Sequence, residues 1–171
     1  MFKLIFIAVI VLSSAGIGNV IVGDWAARKD AIASLQNAVK TLKIALLYQG
    51  MPLYDALLQA AKTAFGSFFS QCAHRMRQNP QMAGKELCIR VAEECKDSLS
   101  LLKKPEQEAL ADLFSRLAAA VSAEQIEDAC AMFLRQTDLI AAELKAQQEQ
   151  KGRLTKTLCV VAGLVVSILL V

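Results

Sequence analysis

Charge is confined to the middle of this chain. Of its 19 cationic side chains only Lys3 lies outside residues 24–156; the other 18 and all 16 acidic residues sit between two apolar ends. A chain divided in this way has a centre suited to water and ends suited to hydrocarbon. The last stretch, LCVVAGLVVSILLV at 158–171, spans about 21 Å as a helix, and residues 154–171 span about 27 Å. A hydrocarbon core is about 30 Å thick. Lys156 can snorkel toward the headgroups to make up the difference. Val, Leu and Ile occupy every side of this run, which favours a span over a core helix docked through one stripe. Nothing polar is needed beyond such an anchor.

The N-terminal residues 4–22 are also uncharged. A cleaved signal is the rival reading, with Ser13-Ser14-Ala15 as a small-residue cleavage site. A lone lysine in the leading region, and an apolar run that continues through Ile17, Val20 and Val22, favour a retained span. Gly16 and Gly18 fit a span but do not form a GxxxG pair. Arg28, Lys29, Lys40 and Lys43 follow this segment, and Lys145, Lys151, Arg153 and Lys156 precede the last one. The positive-inside rule then places the centre in the cytoplasm and both termini outside. The expected organisation is a transmembrane helix at 1–23, a cytoplasmic helical domain at 24–153 and a second transmembrane helix at 154–171. The polar residues 145–153 form a stalk, with Gly152 its soft point.

Two spans explain why 55% of the residues are hydrophobic, against about 45–50% in soluble domains. The nearly balanced centre argues against a nucleic-acid partner. The five cysteines, Cys72, Cys88, Cys95, Cys130 and Cys159, are odd in number and contain no CxxC. They read as reduced thiols in a cytoplasmic domain, not as a disulfide framework.

The centre shows helical periodicity nearly throughout, so the expected class is all-α, a bundle of about six helices. A first helix at about 24–48 carries Ile32, Leu35, Val39, Leu42 and Leu46 at alternating steps of three and four. Gln49-Gly50-Met51 breaks it, and Pro52 suits the first position of the next helix. That helix presents Leu53, Ala56, Leu57, Ala60, Ala64 and Phe65. A third element surrounds Phe68, Phe69, Cys72 and Met76 and ends at Gln78-Asn79-Pro80. A fourth, at about 82–101, buries Leu87, Cys88, Val91, Cys95 and Leu99. Pro105 opens a fifth, with Glu106 and Glu108 at the favourable end of its dipole. Its face is Leu110, Leu113, Phe114, Leu117 and Val121. Ser122 and Gln125 fit a capping box in which Gln125 reaches back. The last helix carries Ile126, Cys130, Phe133, Ile140 and Leu144, and Met132 is expected in the core.

Signals for chemistry are few. His74 is the only histidine, so no HExxH site exists. Cys72 and His74 stand two residues apart, which on a helix points them away from each other, for zinc binding as for a thiol–base pair. No GxxxxGK[ST] loop is present. Glu93, Glu94, Glu124, Glu127 and Asp128 read as solvated helix faces. The expected protein is therefore not an enzyme, with no catalytic, cofactor or metal residues and no small-molecule substrate. The partner-binding candidates are Arg75, Arg77, Lys85 and Arg90, a locally basic stretch, with Met76 and Met82 as adaptable contacts.

Over its length the chain resembles the stage III sporulation protein AB family of endospore-forming bacteria. The resemblance is carried by the N-terminal apolar segment, SLQNAVKTLKIALLYQGMPLYDAL at 34–57, LLKKPEQEALADLF at 101–114, Gln125 and GLVVSILLV at 163–171. Of the family's tyrosine-glycine-x-threonine-proline-leucine turn, Tyr48, Pro52 and Leu53 match. Gln49 replaces the glycine and Met51 the threonine. The family's glycines and aspartate around 114–121 are not kept. The resemblance implies a likeness to the cytoplasmic domains of type II secretion and type IV pilus platform proteins, which sit over a hexameric ATPase. It implies a non-enzymatic inner-membrane platform in the channel between mother cell and forespore. The implied partners are the secretion-type ATPase, stage III sporulation protein AA, and other channel membrane proteins. The competing reading from the residues is an extracytoplasmic, membrane-anchored helical binding protein with a cleaved N-terminal signal.

Overall fold

The computed structural model describes the backbone of residues 26–79 and 84–169, and side chains at 26–79 and 84–147. The expected span at 1–23, Met82, and the side chains of the 154–171 run lie outside the described residues. Within them there are six helices and no strand. The helices are α1 (26–47), α2 (Leu53–Ala60), α3 (Gly66–Gln78), α4 (Lys85–Glu94), α5 (Lys104–Ala119) and α6 (Ala123–Leu169). Among the described residues no helix is long and apolar enough to cross a membrane. Asp30–Ala141 forms one compact unit, and α1 and α6 each extend past its boundary.

Helix α1 buries Ile32, Leu35, Val39 and Leu42 as its periodicity predicts, and adds Ala31, Ala38 and Ala45, while Leu46 is only half-buried. Three alanines widen the stripe into the broad face of a core helix. It pairs antiparallel with α6. Gln36 Nε2 donates to Thr137 Oγ1 at 2.9 Å and to Asp138 Oδ1 at 2.8 Å, and Lys43 Nζ meets Glu127 at 2.7 Å. Thr137 is fully buried, with its hydroxyl 3.0 Å from the carbonyls of Phe133 and Leu134.

The four short helices close over aromatic rings. Phe68 meets Phe69 edge-on at 5.3 Å and Phe114 edge-on at 5.9 Å, and Phe69 stacks on Phe114 at 6.5 Å. Two turns make this possible. Helix α2 stops at Ala60, short of the expected Ala64 and Phe65, because Thr63 Oγ1 takes the Ala60 carbonyl at 2.7 Å. Phe65 then adopts a left-handed conformation (φ 52°) to start α3. A Cβ on Gly66 would lie 2.8 Å from the Ala61 carbonyl oxygen, so the α2–α3 turn is too tight for any other residue. Pro52 sits one position earlier than expected, as the residue whose carbonyl accepts from Ala56 at 3.1 Å.

Helix α4 is shorter than the expected 82–101. Beyond Glu94 the chain turns on itself through Leu101, where Ser100 Oγ bonds the Asp97 carbonyl and the Ser98 and Ser67 hydroxyls meet at 2.5 Å. The Ser100 hydroxyl offers the Asp97 carbonyl a partner outside the helix, which favours the turn. Pro105 lies in the first turn of α5 as expected. The chain leaves α5 at Ala119, so Val121, expected on its buried face, is 91% exposed. The capping box forms with a shift: Gln125 N–H donates to Ser122 Oγ at 3.3 Å, but Gln125 Oε1 accepts from Val121 N–H at 2.8 Å, one residue before Ser122. Met132, expected in the core, is 41% exposed because the inward positions of α6 go to Ala129, Cys130 and Phe133.

Candidate functional site

Helices α4 and α5 form an antiparallel hairpin. Gly84 stands where α4 begins, with φ +78°, and its Cβ position faces Ser115 and Ala118 at 3.4 Å near the end of α5. Lys85 Nζ lies 3.7 Å from Asp112 Oδ1 across the same end. At the other end the chain bends through Leu99 and Leu102, both buried. One face of the hairpin is hollowed into an open groove of about 610 Å³. Short side chains leave the space: Cys88 and Ala92 from α4 and Ala111 from α5, with Leu99 and Leu102 at the bend. Ile89 forms part of the wall and is 45% exposed. The rim carries Glu93, Lys96, Lys104 and Glu108. An apolar trough with a charged rim suits a protein segment better than a reacting substrate.

The sequence-predicted cluster is only partly assembled here. Arg75 Nη2 contacts both carboxylate oxygens of Glu94 at 2.6 Å, and Arg90 Nη2 reaches Glu86 at 2.8 Å one turn away. Both cations are thus engaged within the bundle. Arg77 is exposed on the last turn of α3. Lys85 alone of the four lines the groove. Ile89, Ala92, Ala111, Lys96 and Lys104 were missed as site residues. The available signal was an isoleucine outside the apolar period of α4, facing small residues on the next helix.

The thiols are withdrawn from chemistry. Cys72, Cys88, Cys95 and Cys130 are all free and buried. Burial raises each above its ordinary range: Cys88 is pushed up to about 12 and Cys130 to about 11, the latter opposed by the nearby Lys43. Cys72 is raised by burial and then by its neighbours Cys88 and Cys95. Cys95 is raised by burial and by Glu94. A thiol that holds its proton is a poor nucleophile and a poor metal ligand. His74 points to solvent while Cys72 is fully buried, so the two do not meet. Among the described residues no group of three or more His, Cys, Asp or Glu is arranged to hold a metal ion.

Compared with known protein families, the chain matches the model of stage III sporulation protein AB over residues 3–171. That match covers nearly the whole chain, and the chain belongs to this family. Neither a curated protein sequence nor a solved structure matches it.

Proposed function

We propose that this member of the stage III sporulation protein AB family is a non-enzymatic membrane platform of the channel between mother cell and forespore. It couples a cytoplasmic secretion-type ATPase, stage III sporulation protein AA, to membrane components of that channel. The observation that carries the reading is α6. It runs unbroken for 47 residues from the bundle to Leu169, a length of about 70 Å, and its last part is the uncharged run that follows Lys156. A continuous helix between a folded unit and an apolar segment is the kind of connection a membrane platform needs.

Two further observations support a cytoplasmic adaptor. Four free buried cysteines with no disulfide among the described residues suit a reducing compartment. The α4–α5 hairpin carries an apolar groove with a charged rim, and its Cys88 thiol is held protonated. The basic flanks of both apolar ends supply the orientation.

The test is capture from sporulating cells. Full-length tagged protein, extracted in mild detergent, retains the ATPase under the platform reading. An Ala92→Trp variant, at a half-buried groove position, identifies whether that surface carries the contact. If the full-length protein is recovered from membranes without the ATPase at every salt concentration, the coupling role is wrong.

A further inference from the structure

We infer that the α4–α5 groove receives a single amphipathic helix of a protein partner. Its apolar ridge is flanked on both sides by acidic residues at one level and by basic residues one turn away. The inference deepens the adaptor reading and rests on it for the existence of a partner.

The groove floor is apolar and built from short side chains, so it accepts the projecting ridge of a helix. Its rim is banded. Lys96, in the bend just past α4, and Lys104, the first residue of α5, stand on opposite sides near the hairpin bend. Glu93 and Glu108 lie three and four residues further from the bend, again one on each side. Along α5 Glu108 lies about one turn, roughly 5 Å, beyond Lys104, and on the other arm Glu93, in the last turn of α4, precedes Lys96 by three residues. The far end is closed by the Lys85–Asp112 pair. None of the four banded charges joins an ion pair among the described residues.

A partner of one charge sign meets one band and is repelled by the other. A helix presents flanking positions on both sides of its ridge at intervals of one turn, which matches the bands in spacing and in pairing. Complementary charge of this kind sets register and selects partners more than it adds affinity. The half-exposed Ile89 gains cover from the same ridge.

The test uses the full chain in lipid nanodiscs, with empty discs as the blank, and three stapled four-turn helices sharing one leucine ridge. One carries two flanking glutamates followed a turn later by two lysines; the others carry glutamate or lysine at all four positions. The mixed helix is expected to bind about tenfold more tightly than either uniform one. Ala92→Trp should weaken it by tenfold or more. The surface double variant Lys96→Glu/Lys104→Glu, which leaves the core untouched, should transfer the preference to the all-lysine helix. Equal binding of the three helices, or binding of none, overturns the inference. So does a two-chain native mass that Ala92→Trp reduces to one, since a second copy is then the occupant. The assay contains no ATPase, so its failure is distinct from a failed capture.

Discussion

Around Phe114 three rings meet, with centroids 5.3 to 6.5 Å apart. Along the α1–α6 seam the defining contacts are polar: Gln36 to Thr137 and Asp138, and Lys43 to Glu127. The apolar cluster can tolerate small sliding of its rings, because dispersion and burial are non-directional. The seam cannot, because a buried threonine and a glutamine amide must meet at hydrogen-bond distance. Aromatic burial therefore adds stability without fixing position, and the polar seam fixes the register of the two helices that leave the unit. Under the proposed connector role this division is useful, since a slip of α6 against α1 is what would lose transmitted motion.

The largest effect expected from breaking the comparison is on the aromatic side. Phe114→Ala should cost about 3–5 kcal/mol in urea unfolding; a loss below about 1 kcal/mol would mean the rings are not the main support. Alkaline pH comes next and acts mainly on the same helices. The unfolded thiols release their protons near 9.0, whereas Cys72 and Cys88 on α3 and α4 hold theirs to higher pH, Cys88 to about 12. Folded pKa values above the unfolded value mean full stability below pH 9 and a decline above it. Each thiol contributes up to about 1.4 kcal/mol of that loss per pH unit. Urea midpoints at pH 8 and pH 10 measure it, and a Cys72→Ala/Cys88→Ala variant should show a flatter decline.

Gly84→Ala forces an alanine to φ +78°, with its Cβ against Ser115 and Ala118. It should cost about 1–3 kcal/mol, seen as a lower melting temperature without change in helix content. On the seam, Thr137→Val keeps the shape and removes one hydrogen-bond partner of Gln36. A loss of about 1 kcal/mol is expected, and a second substitution at Gln36 should add less than its own single effect. Lys43→Met is the smallest: an exposed pair is screened by solvent, so its melting curve should overlay that of the parent chain.

Most of the bundle was legible because burial follows period. Leu87, Cys88, Val91, Cys95 and Leu99 are all buried as spacing predicts, even though α4 stops at Glu94 and the last two lie in turns. Turns compact enough to keep the same side inward preserve the pattern after the helix is gone. Val121 and Met132 show the opposite case. Period extends a face without knowing where the helix ends or which side a neighbour covers, and those two are exposed. The candidate site was less legible. Arg90 and Glu86 lie four apart on one helix, a pairing visible in the sequence. Arg75 finds Glu94 only because α3 and α4 pack together. The groove itself depends on Ala92 and Ala111 facing each other across the hairpin, a tertiary fact that neither helix carries alone.

Thiol labelling tests most directly the proposed placement of the bundle in the cytoplasm on membrane anchors. The buried thiols are poor targets for a maleimide reagent in the folded protein. A Val121→Cys variant, at a 91% exposed position, provides a reactive one, with Cys159 replaced by serine to remove the remaining cysteine. In intact sporulating cells an impermeant maleimide should leave Val121→Cys unlabelled, with full labelling after permeabilisation. Labelling in intact cells would place the bundle outside the cytoplasm and contradict the platform account.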